Sequence, residues 1–316
     1  MHTLVVGAGA IGGYFGGRLA EAKRDVTFLV RPRRAAELAS AGLTIRSRFG
    51  DVSIPKPKTV LAEDLRAGNR ETYELVLLSC KAFDLESAIE SFAPAVGPAT
   101  AILPLLNGMR HLDTLEKRFG GEHVLGGQCL IAATVNEKRE IVHLNENHDL
   151  SFGERDGSLS ERVKAIGHLM EGVRFAVRVS RQILLEMWEK WMFLASAASS
   201  TCLMRAAIGD ICASPGGTDY ILGVLEECRR IAGAEGYRVR DESFGRARDM
   251  LTARGSTLTA SMLRDIERNG PIEADHIVGD LLQRGMRHGV SGSDSFLKVA
   301  YTHLKAYEAR RARTSA

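Results

Sequence analysis

Gly7, Ala8, Gly9, Ala10, Ile11 and Gly12 form a GxGxxG run that follows the apolar stretch Thr3–Val6 and precedes a helix-like segment. The spacing suits a phosphate-bearing ligand. Gly7 permits a tight turn, Gly9 lets the backbone approach a pyrophosphate, and Gly12 lets the helix pack against the strand. Free N–H groups and the dipole at the helix start then favour an anion. The pattern predicts a dinucleotide site. A second determinant stands at the end of the next strand, where an NAD enzyme usually presents an acid to the ribose 2′-hydroxyl. Here the chain presents Arg31, Pro32, Arg33 and Arg34. Guanidinium groups suit a 2′-phosphate through paired, charge-assisted bonds, so Arg31 points to NADP.

Such a turn needs a parallel sheet around it, and the first half of the chain reads that way. Strands are expected at 3–6, 25–30, 73–79, 100–106 and 123–132, separated by amphipathic helices at 13–22, 33–41, 85–92 and 109–119. This alternation calls for a mostly parallel sheet covered on both faces. Two short strands at 140–144 and 148–152, a helix at 160–173 and a strand at 177–180 complete the unit. From Arg181 onward only helices are expected, at 182–204, 216–235, 241–253, 259–268 and 272–288, each ending at a glycine or polar break. The expected fold is α/β: a Rossmann-type dinucleotide-binding domain over 1–181 and an all-helical domain over 182–316.

A chain of 316 residues is long enough for two such domains. Its hydrophobic content of 45% and charged content of 26% are those of an ordinary globular protein. A net charge of +3 gives no basic footprint for nucleic acid, and Arg310, Arg311 and Arg313 read as a solvated tail. The five cysteines show no CxxC pair, and the nine histidines show no metal-ligand spacing. No metal is therefore expected. His143 and His148 read as structural residues, and Trp188 and Trp191 as core. The longest apolar stretch, 191–203, is shorter than the roughly 20 residues that span a bilayer. With no room for a signal peptide ahead of Thr3, the expected location is the cytoplasm. The sequence leaves a homodimer open.

The chain resembles the ketopantoate (2-dehydropantoate) reductase family. The resemblance is carried by Gly7–Gly12, Arg31, Ser79 through Ala82, Leu106 through Met109, Trp188-Glu189-Lys190, Ser261 through Ile266, and Glu273, in order along nearly the whole chain. It implies a Rossmann domain joined to a helical domain, with NADPH and substrate in the cleft between them. It also implies reduction of a small 2-keto acid to the 2-hydroxy acid, by default the ketopantoate step of pantothenate biosynthesis. Carried over by position, Lys190 is the general acid, and Glu273 and Ser261 position substrate, cofactor and lysine. Asn107 and Ala133 lie along the nicotinamide half of the cofactor, and Lys81 closes the cleft. Asn107 and Lys190 also contact the substrate.

Independent of the resemblance, Lys190 shares a helical stripe with Leu194, Ala197, Ala198 and Thr201, none of them charged. An ammonium in that setting is partly desolvated and becomes a better proton donor near neutral pH. Glu273, following Gly270 and Pro271, also fits ordinary helix-start chemistry. The sequence departs from its family where substrate-binding asparagines are usual: Leu194, Ala198 and Ile208 stand there. Three polar contacts have become apolar, which redirects substrate preference. Two other readings follow from that change: an NADP-dependent oxidoreductase of a different carbonyl or imine, and a non-catalytic NADPH-binding protein on the same scaffold.

Overall fold

The computed structural model describes residues 1–67 and 72–314. They form two compact units: Met1–Leu106 with His111–Leu184, and Asn107–Arg110 with Leu185–Ala316.

In the first unit a five-stranded parallel sheet is built from β1 (Thr3–Val6), β2 (Val26–Leu29), β5 (Lys58–Val60), β6 (Leu75–Leu78) and β7 (Ala101–Pro104), in the order β5-β2-β1-β6-β7. All four residues of β1, β2, β6 and β7 are buried. Apart from Thr3 and Thr27 these are the apolar runs expected of a parallel sheet covered on both faces. A second sheet runs β10 (Ala176–Val179), β9 (Ile141–Gly153), β3 (Leu43–Arg46) and β4 (Val52–Ile54), with β8 (Gly126–Val135) antiparallel on β9. The remaining helices are α1 (Ala10–Glu21), α2 (Pro32–Ala41), α3 (Ala62–Arg66), α4 (Leu85–Phe92), α5 (Arg110–Phe119) and α6 (Glu161–Leu169).

Helix α1 lies between the two sheets, and its glycines make that possible. A Cβ on Gly16 would stand 2.9 Å from Val5 of the first sheet. One on Gly13 would stand 2.4 Å from Ile141 of the second, and one on Gly17 2.9 Å from Leu43. Contacts that short exclude a methyl group, so the glycines set how closely the helix seats.

The second unit is helical: α7 (Ile183–Met204), α8 (Ile208–Ala213), α9 (Gly217–Ala234), α10 (Asp241–Leu251), α11 (Ser261–Glu267), α12 (Asp280–Arg287) and α13 (Phe296–Thr314). Trp188 and Trp191 are in its core, with ring centroids 4.8 Å apart.

Several expectations are corrected. The two short strands at 140–144 and 148–152 are one strand, β9. β8 pairs with it on both sides of the polar middle, up to His143 and again from His148, and at the register shift between them Asn145 Oδ1 accepts the N–H of Ala132 at 2.9 Å. Strands β3, β4 and β5, of three or four residues each, were not expected. Residues 310–313, expected as a solvated tail, are largely exposed but helical, forming the end of α13. There Arg311 Nε donates to Asn269 O at 2.9 Å and Arg310 covers the Tyr307 ring. The helix expected from 272 begins later, with a π-helical turn at Asp275–Gly279 leading into α12.

Candidate functional site

The chain turns out of β1 at Gly7, whose φ of +94° is open to glycine and costly to other residues. Its N–H donates to Leu29 O at 2.9 Å, tying the turn to β2. Gly12 is enclosed: a Cβ there would lie 2.1 Å from Ser79 Oγ and 2.2 Å from Gly7 O. Ser79, at the end of β6, in turn donates to Val6 O at 3.0 Å. Gly9 is different. A Cβ on it would meet nothing within 4 Å, and its φ of −86° is open to any residue. The protein itself gives no reason for glycine at position 9. A ligand lying against that backbone does.

Ala8 is buried, Gly9 exposed, and Ala10 and Ile11 half-buried. Gly9 caps α1 without a side-chain bond, and the first turn carries no acid. The positive end of the helix is thus left for an anion. Enclosed Gly12, open Gly9 and a bare helix start together fit a pyrophosphate.

Beyond β2, Arg31 is 74% exposed and its Nη2 donates to Asp84 Oδ1 at 2.7 Å. Arg34 donates to Ala8 O at 3.2 Å and to Glu37, and Arg33 also pairs with Glu37. The basic run is therefore only partly compensated, Asp84 and Glu37 facing three guanidinium groups. No acid stands immediately after β2 in sequence, yet the fold brings one to Arg31 from 53 residues away. Lys81, at the start of the short 3-10 turn Ala82–Asp84, is exposed. Ala133 is on β8, opposite His143 and just past the register shift. His143 accepts or donates to Ser47 at 3.0 Å and Asn147 O at 2.9 Å, and His148 meets the Tyr14 hydroxyl at 2.8 Å, so both histidines are satisfied structurally.

The other predicted site residues belong to the second unit, and α7 gathers them. Lys190 is half-buried on it. The neighbouring Trp191 donates through Nε1 to Ile277 O at 2.9 Å, inside the π-helical turn that follows Glu273. Glu273 stands before that turn, its carbonyl accepting Ile277 N at 3.0 Å. It thus precedes the helix, where Ala274 caps the π-helical turn, rather than standing in its first turn. Asn107 is also here: its backbone bonds His276, and a Cβ on Gly108 would lie 2.9 Å from His276 O. Burial holds the His276 imidazole below its usual pKa, against an opposing pull from Glu273, so the ring is neutral near pH 7. Further along α7, Thr201 Oγ1 accepts Ala260 N at 3.2 Å, fixing the chain immediately before exposed Ser261. Leu194 is half-buried, while Ala198 and Ile208 are enclosed at 3% and 0% exposure.

Sequence reasoning missed Asp84, Trp191 as an anchor, Thr201 and His276. Asp84 could have been found as the first acid after the carboxyl end of β6. The other three carry no local signal, because their partners lie 59 or more residues away or in an unforeseen turn.

A glycine turn at the carboxyl end of the central strand of a parallel sheet, joined to an all-helical unit, defines an oxidoreductase that uses a nicotinamide dinucleotide. Residues 3–157 match the family model Ketopantoate reductase PanE/ApbA, and residues 182–308 match Ketopantoate reductase PanE/ApbA C terminal. The chain belongs to the ketopantoate reductase family. It is 36% identical to an uncharacterized oxidoreductase, YkpB, of Bacillus subtilis (strain 168), over 98% of this chain and 100% of the relative. It is 27% identical to a 2-dehydropantoate 2-reductase of Mesorhizobium japonicum, covering 90% and 91% of the two chains. Among solved structures, a 2-dehydropantoate 2-reductase from Geobacter metallireducens GS-15 is similar with a TM-score of 0.85 at 26% identity, covering 97% and 99%.

Proposed function

We propose that this chain reduces a 2-keto acid to the 2-hydroxy acid with NADPH, and that Lys190 is the general acid. The observation that carries the reading is the Trp191–Ile277 bond, which sets the Lys190 segment of α7 on the turn that follows Glu273. When bound, the cofactor supplies a hydride to the carbonyl carbon. Lys190 donates a proton to the carbonyl oxygen, giving the alcohol, and regains it from solvent. Its positive charge also attracts the substrate carboxylate. Glu273 and Ser261 orient the lysine and substrate, and Asn107 is kept at the turn by His276. The residues 1–181 and 182–316 are proposed as the cofactor and substrate domains.

Gly7 through Gly12 bind the pyrophosphate, Arg31 the 2′-phosphate, and Lys81 and Ala133 contribute further along the cofactor. Leu194, Ala198 and Ile208 offer no amide to a polyhydroxylated substrate. That favours a bulkier or more apolar 2-keto acid over ketopantoate, and a place in pantothenate biosynthesis depends on which is preferred. Among the described residues no helix is long and apolar enough to cross a membrane; a cytoplasmic, homodimeric enzyme is proposed.

The test is NADPH oxidation across a panel of 2-keto acids, other carbonyl compounds and imines, with NADH alongside. Lys190→Ala should cut turnover by about 10²- to 10⁴-fold, the usual worth of a general acid, while NADPH binding persists. Undiminished turnover removes Lys190 as proton donor. Arg31→Ala should weaken NADPH more than NADH.

A further inference from the structure

Arg31 and Asp84 follow β2 and β6, the two strands that flank β1. Their bond at 2.7 Å therefore joins the strand ends on either side of the glycine turn. Arg31 is the guanidinium placed to take a 2′-phosphate, and it already holds a carboxylate. Its neighbours pair elsewhere: Arg33 and Arg34 share Glu37, which also holds Arg139 at 2.8 Å.

We infer that Asp84 is a specificity-determining residue for the cofactor: its carboxylate competes with the 2′-phosphate for Arg31 and narrows the preference for NADPH over NADH. The inference rests on the reading that the Gly7–Gly12 turn binds the dinucleotide and Arg31 its 2′-phosphate. A phosphate on Arg31 must displace Asp84 or share the guanidinium with it. Sharing holds two anions within a few ångströms of each other. NADH brings only a neutral 2′-hydroxyl, from which a carboxylate accepts a hydrogen bond, as an acid at the end of β2 does in NAD enzymes. The same group thus disfavours one cofactor and tolerates the other. Arg31 is 74% and Asp84 36% exposed. An ion pair this open contributes little to folding, so its effect falls on binding.

The experiment is fluorescence titration of the full-length protein with NADPH and NADH, for wild type, Asp84→Asn, Asp84→Ser, Arg31→Ala and the Arg31→Ala/Asp84→Asn double variant. Asp84→Asn should tighten NADPH roughly three- to tenfold, with NADH unchanged or weaker, and Asp84→Ser should act in the same direction. In the Arg31→Ala background the change should vanish, since coupled residues lose their mutual effect when one is removed. An unchanged NADPH-to-NADH ratio in both Asp84 variants, or an equal shift without Arg31, overturns the inference while leaving the dinucleotide site standing. Failure of wild type to bind either nucleotide overturns the underlying reading itself.

Discussion

Thr201 Oγ1 accepts the backbone N–H of Ala260 at 3.2 Å and donates to Ala197 O at 2.7 Å, so one hydroxyl ties α7 to the segment that presents Ser261. Thr201→Val keeps the shape and removes both bonds. Leaving the Ala260 N–H without its acceptor should cost about 1–2 kcal/mol in denaturant unfolding, and Thr201→Ser should restore most of it. If Ser261 contacts substrate, KM should rise more than kcat falls in the valine variant.

The two glycines of the nucleotide turn should fail differently. Gly12→Ala drives a methyl into Ser79 Oγ and the Gly7 carbonyl and should destabilise the protein by about 1–3 kcal/mol, or more if the backbone cannot shift. Gly9→Ala meets nothing, so thermal unfolding should be unchanged while NADPH affinity is lost. A Gly9→Ala protein that binds NADPH normally would contradict the assignment of that backbone to the pyrophosphate.

The parallel sheet and its glycine turn were legible because β1, β2, β6 and β7 are mostly apolar runs with a turn signature after the first. Lys190 was legible through its uncharged stripe and the family resemblance. What was not legible is long-range pairing. Asn145 looks like a strand breaker until β8 lies beside it, and Arg311 looks like tail until Asn269 O receives it. Glu273 reads as a first-turn acid because Pro271 suits a helix start, whereas the helix begins after it with a wider turn.

Acid should weaken the second unit through Glu189, the residue preceding Lys190. Burial alone would raise this carboxyl's pKa. Arg240, which gives it the guanidinium and its own backbone N–H, outweighs burial and holds the pKa below the ordinary 4.5. A depressed folded pKa contributes stability above the unfolded value, so that stability should be lost as pH falls below about 4.5. Glu189→Gln should lower stability at pH 7 by about 1–2 kcal/mol, less than for a fully enclosed pair because Arg240 is half-exposed. Its unfolding midpoint should also vary less between pH 5 and pH 3 than that of wild type.

Trp191→Phe keeps an aromatic ring in the core, removes the indole bond to Ile277 O and leaves the space of the second ring unfilled. It should cost about 1–3 kcal/mol and reduce kcat with NADPH affinity intact. Equal loss of kcat and of NADPH binding would show that the bond supports the whole fold rather than the Lys190 segment.

The π-helical turn Asp275–Gly279 holds one more residue per turn than its neighbours. Deleting a single residue there would let the chain relax into α-helix without breaking α12. The segments on either side would keep nearly the same rotational register, because the wider turn had absorbed the extra residue, and only the residues of the turn itself, His276 and Ile277 among them, would be re-aimed. A one-codon deletion is thus a route by which this scaffold could exchange one site geometry for another while its core stays intact.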